Sequence, residues 1–447
     1  MTAPSARAAA NPTPNDLESF WMPFTPNRAF KAAPRLIVGA EGLEYVTTDG
    51  RRVIDGTSGL WCCNAGHNRA PIVEAIRRQA GELDYAPPFQ FGHPKAFEAA
   101  SRIAALAPGD LDHVFFANSG SEAVDTALKI ALAYQNVTGK GGRTRLIGRE
   151  RGYHGVGFGG ISVGGIVGNR KMYGTLLTGV DHLPTIYSRE QQAFTKGEPE
   201  WGAHLADELE RIVGLHDAST IAAVIVEPMA GSTGVLPSPK GYLQKLRAIC
   251  DRYGILLIFD EVITGFGRLG FAFAAERYGV VPDILTFAKA VNSGTVPMGG
   301  AIVRKPVFDA FMQGPEGAIE LPHGYTYSGH PLAAAAAVAA LDLYRDEGLF
   351  ERARALEPRW ADAVMALKSL PGILDIRTVG LAAGIDLDPR PGAPGRRAYE
   401  VMVAAYEAGA MVRVTADTIA LSPPLIVDDA TIGRLTGILA GAIRKVG

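Results

Sequence analysis

The chain has 447 residues, of which 47% are hydrophobic and 20% are charged, an ordinary globular composition. Its 44 basic and 46 acidic residues give a formal charge of −2, which favours neither nucleic acid nor an anionic membrane surface as a partner. No apolar run reaches the roughly 18 residues that would predict a transmembrane helix, so we expect no membrane association.

Cysteine usage and the amino-terminal residues predict the compartment. Residues 1–15 lack the apolar centre of a signal peptide and predict a loose tail. Cys62, Cys63 and Cys250 have no spacing typical of a disulfide framework, so we expect a reducing, cytoplasmic environment. Cys62 and Cys63 lie near His67, but no further ligand follows, and we predict no metal site.

Predicted elements begin with an aromatic, proline-rich arm at residues 17–30, which we expect to pack over another surface. From about residue 70 helical and strand patterns alternate, which predicts a mostly parallel sheet covered by helices on both faces. The predicted strands are 36–38, 43–47, 52–54, 113–116, 145–148, 221–226, 255–259, 284–288 and 300–303. The predicted helices are 70–83, 94–107, 122–137 and 241–253, then an alanine-rich helix after Pro331 and helices 355–370, 396–407 and 428–445.

Two of these strands are followed by charged residues. Asp260 ends the apolar run 255–259, and Lys289 ends the run 284–288. Ligands bind at the carboxyl ends of parallel strands, so both groups are expected to face one crevice. A lone lysine after a strand is usually solvated, but the Gly- and Pro-rich turn 294–300 leaves this amine little solvent. A carboxylate and a desolvated amine together predict pyridoxal phosphate (PLP) chemistry, in which the amine bonds to the aldehyde and the carboxylate holds the pyridine nitrogen protonated.

Two other motifs are typical of different functions, but the sequence around them lacks what those functions require. Residues 155–160 read G-x-G-x-x-G, but no apolar strand precedes them and no helical pattern follows, as a dinucleotide site requires. The acidic end of strand 255–259 resembles that of an ATPase, but the only Gly-Lys pair, at 139–140, is followed by Gly141.

A candidate phosphate site follows strand 113–116. Ser119, Gly120 and Ser121 open the next predicted helix, where small residues and backbone N–H groups can approach an anion. Taken alone, a serine here is equally well explained as a helix cap. Together with Asp260 and Lys289, the phosphate interpretation is favoured.

At this point the chain resembles the class III (fold type I) PLP-dependent aminotransferases, specifically the β-alanine/ω-amino acid:pyruvate transaminase group. The resemblance covers essentially the whole chain from Phe20, and the motifs are specific only jointly. They are 119–122 (SGSE), 152–155 (GYHG), 226–228 (VEP), 260–268 (DEVITGFGR), 282–283 (PD), 288–289 (AK) and 323–327 (HGYTY).

The resemblance implies an α/β fold with a mostly parallel central sheet, helices on both faces and a smaller α+β domain built from both chain ends. The implied division is an amino-terminal arm with part of the small domain (1–60), a large PLP-binding domain (61–330) and a carboxyl-terminal small domain (331–447). The implied reaction moves an amino group from β-alanine, another ω-amino acid or an amine to pyruvate, giving L-alanine. It would run by a ping-pong mechanism through pyridoxamine phosphate.

It also implies a role for each cofactor residue. Lys289 would bond to PLP and move the proton, and Asp260 would pair with the pyridine nitrogen. Tyr153 and Val262 would cover the two ring faces, although Tyr153 alone reads as a buried aromatic. The other implied contacts are Ser119, Gly120, Ser121, His154, Glu227 and Thr326. Thr326 would come from the neighbouring subunit, which implies a homodimer with shared active sites and leaves pairing into tetramers open; Glu227 fits a plain structural carboxylate nearly as well.

Substrate binding is implied for four more residues. Trp61, Phe24 and Phe89 would line the pocket, and Arg413 would bind a carboxylate through its guanidinium. Without the resemblance, Trp61 would be interpreted as an ordinary core residue, and a lone arginine on a short strand is more often on the surface. Ser232 stands where 2-oxoglutarate-using relatives tend to carry a glutamate, and it leaves Arg413 without that neutralising charge. This difference favours pyruvate as acceptor.

Three alternatives to a pyruvate-dependent ω-transaminase remain open. The chain could be a 2-oxoglutarate-dependent aminotransferase, or an aminomutase or decarboxylase of the same class. A catalytically silent scaffold of the same fold is the third, which the intact set of Lys289, Asp260 and the phosphate site disfavours.

Overall fold

The computed structural model describes residues 17–447, so the predicted tail and the start of the first domain lie outside the described residues. Its centre is a seven-stranded sheet. Gly299–Arg304 is antiparallel to both of its neighbours and the remaining pairs are parallel, as predicted. In spatial order the strands are Leu111–Ala117, Gly299–Arg304, Ile284–Phe287, Leu256–Asp260, Ile221–Val226, Arg145–Arg149 and Val180–Leu183.

Both faces of this sheet are buried, which explains why its strands read as continuous apolar runs. Successive side chains of a strand point to opposite faces. Ile258 joins the hydrophobic cluster beneath helix Gly120–Val137, whereas Leu257 and Phe259 join the cluster that includes helix Tyr242–Tyr253. The central strands are therefore held rigidly, and so are the groups at their ends.

Two smaller four-stranded sheets complete the fold, with a short hairpin of Met229–Ala230 and Leu236–Pro237. The first sheet joins both parts of the chain, because Arg52–Asp55 pairs in parallel with Ala410–Met411. Its other strands are Ile37–Glu41 and Glu44–Thr47. The second has the order Ile373–Val379, Ala382–Leu387, Thr418–Leu421 and Arg413–Thr415. The division at residues 60 and 330 stays a prediction.

Nine longer helices surround these sheets within residues 17–447: Ala70–Glu82, Pro94–Ala104, Gly120–Val137, Glu208–His216, Tyr242–Tyr253, Pro331–Asp346, Leu349–Met365, Arg396–Glu407 and Asp429–Val446. Short α-helices are Asn27–Ala32, Ser58–Trp61, Phe158–Val163, Arg189–Gln192, Ala274–Tyr278 and Lys305–Phe311. Single 3₁₀ turns occupy Leu17–Ser19, Val167–Asn169, Ala203–Asp207, Ala218–Thr220, Lys289–Asn292 and Ala366–Ser369.

Three of these elements differ from the prediction. The helix predicted at 355–370 begins earlier, at Leu349, and accommodates Pro358 in its interior. Strand Val180–Leu183 and helix Glu208–His216 were not predicted. The strand lies at the sheet edge and contains the polar Asp181 and His182, so it lacks the apolar run of the buried strands.

Across residues 17–447 no helix is both long enough and apolar enough to cross a bilayer. The same part of the chain contains no cluster of three or more His, Cys, Asp or Glu side chains that would hold a metal ion.

Candidate active site

Asp260 and Lys289 lie at the same edge of the central sheet. The strands that carry them are parallel neighbours, with Asp260 opposite Thr286 in the register. Asp260 is 5% exposed and Lys289 follows the end of strand Ile284–Phe287, with a backbone φ of +47°. Left-handed backbone at a non-glycine residue is costly, and such strain is enriched at functional sites. The predicted pairing of amine and carboxylate is thus present in one crevice.

The Asp260 carboxylate is fixed by three donors. His154 Nδ1–H donates to Asp260 Oδ2 at 2.8 Å. Asp260 Oδ1 accepts from the Val262 N–H at 3.1 Å and from Thr286 Oγ1 at 3.3 Å. His154 is 1% exposed and its Nε2 atom has no hydrogen-bond partner in the described chain. These contacts orient the carboxylate toward the crevice.

The Lys289 amine is enclosed by protein. Burial lowers the pKa of Lys289, and the charge of Asp260 opposes that shift. Desolvation of an amine favours its neutral form, and only the neutral amine is a nucleophile. Lys289 is therefore suited to attack a carbonyl carbon and to carry a proton.

Ser119, Gly120 and Ser121 begin the 18-residue helix Gly120–Val137 and form one end of the crevice. Both roles considered for the serines occur here, because Ser119 Oγ caps the helix by accepting from the Glu122 N–H at 3.2 Å. A methyl group at position 120 would lie 2.8 Å from Val262 Cγ1, so only glycine fits. The first N–H groups of a long helix then face the crevice, a favourable place for an anion.

The G-x-G-x-x-G motif has a packing role beside this helix. A methyl group at Gly155 would lie 2.5 Å from Ser121 Oγ, and the φ of Gly155 is +86°. The next residue, Val156, donates its N–H to Ser121 Oγ at 3.1 Å. The glycines allow a tight turn against Ser121. The expectation that no helix follows was wrong, because the short helix Phe158–Val163 begins within the motif, but strand Arg145–Arg149 ends before the motif with five residues between them.

Tyr153 and Glu227 are linked through the backbone. The Tyr153 N–H donates to Glu227 Oε1 at 2.9 Å, and the Gly231 N–H donates to Glu227 Oε2 at 3.2 Å. Burial raises the pKa of Glu227 to about 7. Glu227 thus holds the segment that carries Tyr153 at the cavity, in agreement with its second, structural interpretation.

These groups line a single cavity of about 300 Å³. Of the predicted cofactor residues, all except Thr326 line it: Ser119, Gly120, Ser121, Tyr153, His154, Glu227, Asp260, Val262 and Lys289. The remaining wall consists of Asn118, Gly155, Ile263, Ala288, Gly294, Val296, Pro297 and Met298.

Arg413 lies close to this cavity on strand Arg413–Thr415. Its positive charge lowers the pKa of Tyr153, opposing the larger effect of burial, and also lowers that of Lys289. Burial lowers the pKa of Arg413 itself, although a guanidinium stays charged at neutral pH. Within residues 17–447 its guanidinium forms no ion pair and no hydrogen bond.

The other predicted substrate residues do not line the cavity of their own chain. Trp61 is 2% exposed, with a backbone φ of +68° and an Nε1 atom that has no partner among the described residues. Phe24 is 76% exposed and Phe89 58% exposed. Thr326 is also exposed, and its carbonyl oxygen accepts from the Tyr85 hydroxyl at 3.0 Å. Their contacts with substrate or cofactor stay predictions.

Comparison with known proteins identifies the family. Residues 27–443 match the family model described as aminotransferase class-III. The chain is a class III aminotransferase. It is 59% identical over 432 residues to an omega-aminotransferase of Caulobacter vibrioides, covering 97% of this chain and 98% of that protein. It is 48% identical over 434 residues to a beta-alanine–pyruvate aminotransferase of Pseudomonas aeruginosa, covering 96% of each.

A solved structure supports the same assignment. An amine transaminase from an uncultivated Pseudomonas species, in its PLP-bound form, superimposes with a TM-score of 0.89 at 35% identity, covering 97% of this chain and 100% of that one. The aminotransferase therefore has the fold type I architecture, and the predicted fold class, enzyme class, cofactor and kinship with ω-transaminases are confirmed.

The cavity of this aminotransferase fits PLP by the chemistry of its donors. A helix N-terminus with Gly120 and Ser121 suits the phosphate, and the fixed Asp260 carboxylate suits a protonated pyridine nitrogen. The buried Lys289 amine suits the aldehyde carbon. Tyr153 and Val262 both line the space between these groups, where an aromatic ring would lie.

Sequence reasoning missed Thr286, which donates to the Asp260 carboxylate and is fully buried. Its signal was a single hydroxyl in the otherwise apolar strand Ile284–Phe287. His154 was predicted as a cofactor-binding residue, but without a specific role, and nothing in the sequence indicated that it contacts Asp260.

Proposed function

We propose that this aminotransferase transfers the amino group of β-alanine, another ω-amino acid or an amine to pyruvate, giving L-alanine by a ping-pong mechanism. Relatives that are 48% and 46% identical to this chain are a beta-alanine–pyruvate and an omega-amino acid–pyruvate aminotransferase. With β-alanine or another ω-amino acid as donor, the site must bind a carboxylate in both half-reactions.

The free guanidinium of Arg413 is the observation that carries this proposal. A partly buried arginine without a carboxylate partner is unusual, because desolvation of the charge is left uncompensated. A substrate carboxylate provides the missing bidentate partner. Ser232 supplies no competing negative charge, so a small oxoacid such as pyruvate meets an available cation.

The residues of the chain divide the remaining work. PLP, when bound, supplies the electron sink that stabilises negative charge on the substrate carbon. Asp260 would hold a proton at the pyridine nitrogen of PLP, and the three donors to Asp260 keep its carboxylate aligned. Lys289 would hold the cofactor through its aldehyde and would carry the proton to and from the reacting carbon of the substrate.

Replacing Arg413 by alanine should separate substrates by their carboxylates. We expect kcat/KM for β-alanine and for pyruvate to fall about 100-fold, because a charge-assisted bidentate contact of roughly 2–3 kcal/mol is lost. Half-reaction rates with an aliphatic amine that lacks a carboxylate should stay within about threefold. Half-reaction kinetics with each substrate measure both effects.

The matched control is Arg359→Ala, which removes an exposed arginine that pairs with Asp429. It should leave all of these rates unchanged. Equal losses for the amine and the carboxylates in Arg413→Ala would remove this residue from substrate binding.

We further propose that the enzyme is a homodimer with shared active sites. Large apolar side chains that a monomer would leave in water support this association, among them Phe20, Trp21, Phe24, Phe89, Phe91 and Met172. Thr326 is exposed outside the cavity of its own chain, as expected for a residue that reaches the phosphate of a neighbouring subunit.

Complementation tests the shared site. Lys289→Ala and Thr326→Glu should each be nearly inactive as single proteins. Co-expressed in equal amounts, they should recover about a quarter of wild-type sites, because half of the dimers are hybrids with one intact site. Co-expressed Lys289→Ala and Asp260→Asn should recover nothing, since those two groups lie in the cavity of one chain. Recovery in the second pair, or none in the first, would contradict the arrangement.

We also propose a cytoplasmic location, supported by the three cysteines Cys62, Cys63 and Cys250, which are all free thiols.

A further inference from the structure

Cys62 and Cys63 present their thiols side by side next to the active site. Their Sγ atoms are 3.8 Å apart, and both residues are partly exposed. The backbone N–H groups of both cysteines donate to the Ser58 carbonyl oxygen, at 2.8 and 3.0 Å. This shared acceptor fixes the two residues relative to each other, so the pair of sulfurs is preorganised.

The sulfurs lie between two glycines. A methyl group at Gly294 would lie 2.9 Å from Cys62 Sγ and 3.4 Å from Cys63 Sγ, and one at Gly59 would lie 3.4 Å from each. Gly294 is part of the cavity wall that also contains Lys289. A group attached to the two sulfurs therefore adjoins the reaction cavity.

The surroundings favour a thiolate at Cys62. The hydrogen bond from Cys63 is the main cause that lowers the pKa of the Cys62 thiol, whereas burial and Asp55 raise it. The same hydrogen bond, together with burial, raises the pKa of Cys63. Thiolate is the form that bonds to soft electrophiles.

The number of donors decides which ligand suits this pair. Two bonds of about 2.3 Å, the length typical of thiolate ligation, are long enough to join sulfurs 3.8 Å apart through one atom, so both sulfurs can reach a single centre. A structural zinc ion needs four ligands, and residues 17–447 offer no group of even three metal-binding side chains. The pair is therefore suited to a thiophilic centre that requires only two sulfurs.

We propose that Cys62 and Cys63 together form a binding site for trivalent arsenicals, and that the bound group obstructs the adjacent active-site cavity. The arsenoxide oxygen takes up two protons, one from the Cys63 thiol and one from solvent when Cys62 is a thiolate. The arsenic–oxygen bond breaks, two arsenic–sulfur bonds form, and the oxygen leaves as one water molecule. Arsenic stays trivalent, so no oxidant or reductant is needed. This inference does not depend on which amine or oxoacid the enzyme uses.

Phenylarsine oxide added to the PLP-loaded enzyme tests the site. Intact mass spectrometry should show one adduct per chain, equal to the reagent minus one water, with transaminase activity lost in parallel. A dithiol such as 2,3-dimercaptopropanol should remove the adduct and restore activity, whereas an equal thiol concentration of 2-mercaptoethanol should not. Two bonds on one arsenic resist a monothiol because the second bond is intramolecular.

Single variants provide the decisive comparison. Cys62→Ser and Cys63→Ser should each need about 100-fold more reagent for half-maximal adduct formation, because only one bond remains. Cys250→Ser removes the buried third cysteine and should behave as wild type. The proposal fails if wild type forms no adduct, if either single variant binds as tightly as wild type, or if the adduct leaves activity intact.

Discussion

Alanine in place of Lys289 is expected to lower turnover by about four orders of magnitude or more, because one side chain supplies both the nucleophile and the proton carrier. Lys289 is the only lysine among the described residues that line the cavity, so no other lysine is placed to substitute for it. Steady-state rates with β-alanine and pyruvate measure the loss. PLP should remain bound through the helix N-terminus and Asp260, with the absorption spectrum of unlinked cofactor.

Lys305→Ala is the matched control. Lys305 pairs with Asp309 in an exposed position at the start of helix Lys305–Phe311, so its removal should change neither turnover nor spectrum. Near-normal turnover in Lys289→Ala would show that another group carries the reaction.

Asparagine in place of Asp260 should lower turnover by about 100- to 1,000-fold, the usual range when one preorganised electrostatic contact is removed from an active site. The amide keeps the size of the side chain and can accept at Oδ1 from Val262 and Thr286. It lacks the negative charge that holds a proton at the pyridine nitrogen. Single-turnover kinetics should locate the loss in proton removal rather than in substrate binding.

Asp181→Asn is the control for this change, since Asp181 is also a strand aspartate but pairs with Arg145 away from the cavity. Its activity should equal that of wild type. If Asp260→Asn retained full activity, the carboxylate would have no electrostatic role toward the cofactor.

The site residues that could be predicted from the sequence are marked by the residues next to them in the chain. A buried parallel strand reads as an apolar run, and its carboxyl end is where a ligand binds, so Asp260 and Lys289 could be paired before any contact was known. Ser119, Gly120 and Ser121 were recognisable only together with Asp260 and Lys289, because a serine at a helix start is equally well explained as a cap. The structure adds that Gly120 is required by its approach to Val262.

The parts that sequence could not predict depend on contacts between distant segments. His154 and Asp260 are 106 residues apart in the chain and become neighbours only when strands and turns assemble. Arg413 lies on the second small sheet, and Tyr153 lies in the segment that follows a strand of the large sheet. They likewise come close only when these distant parts of the chain pack together. Phe24, Phe89 and Thr326 are exposed in one chain. In the proposed dimer, their contacts with the neighbouring subunit would have no periodic signal in the sequence.

The most direct test is the half-reaction of the PLP-loaded enzyme with β-alanine and no acceptor, followed in the visible absorption band of the cofactor. We expect the band to decay. Pyruvate should restore it with formation of L-alanine, and 2-oxoglutarate should not. A band that stays unchanged with β-alanine and with every amine, or one restored equally by 2-oxoglutarate, would contradict it.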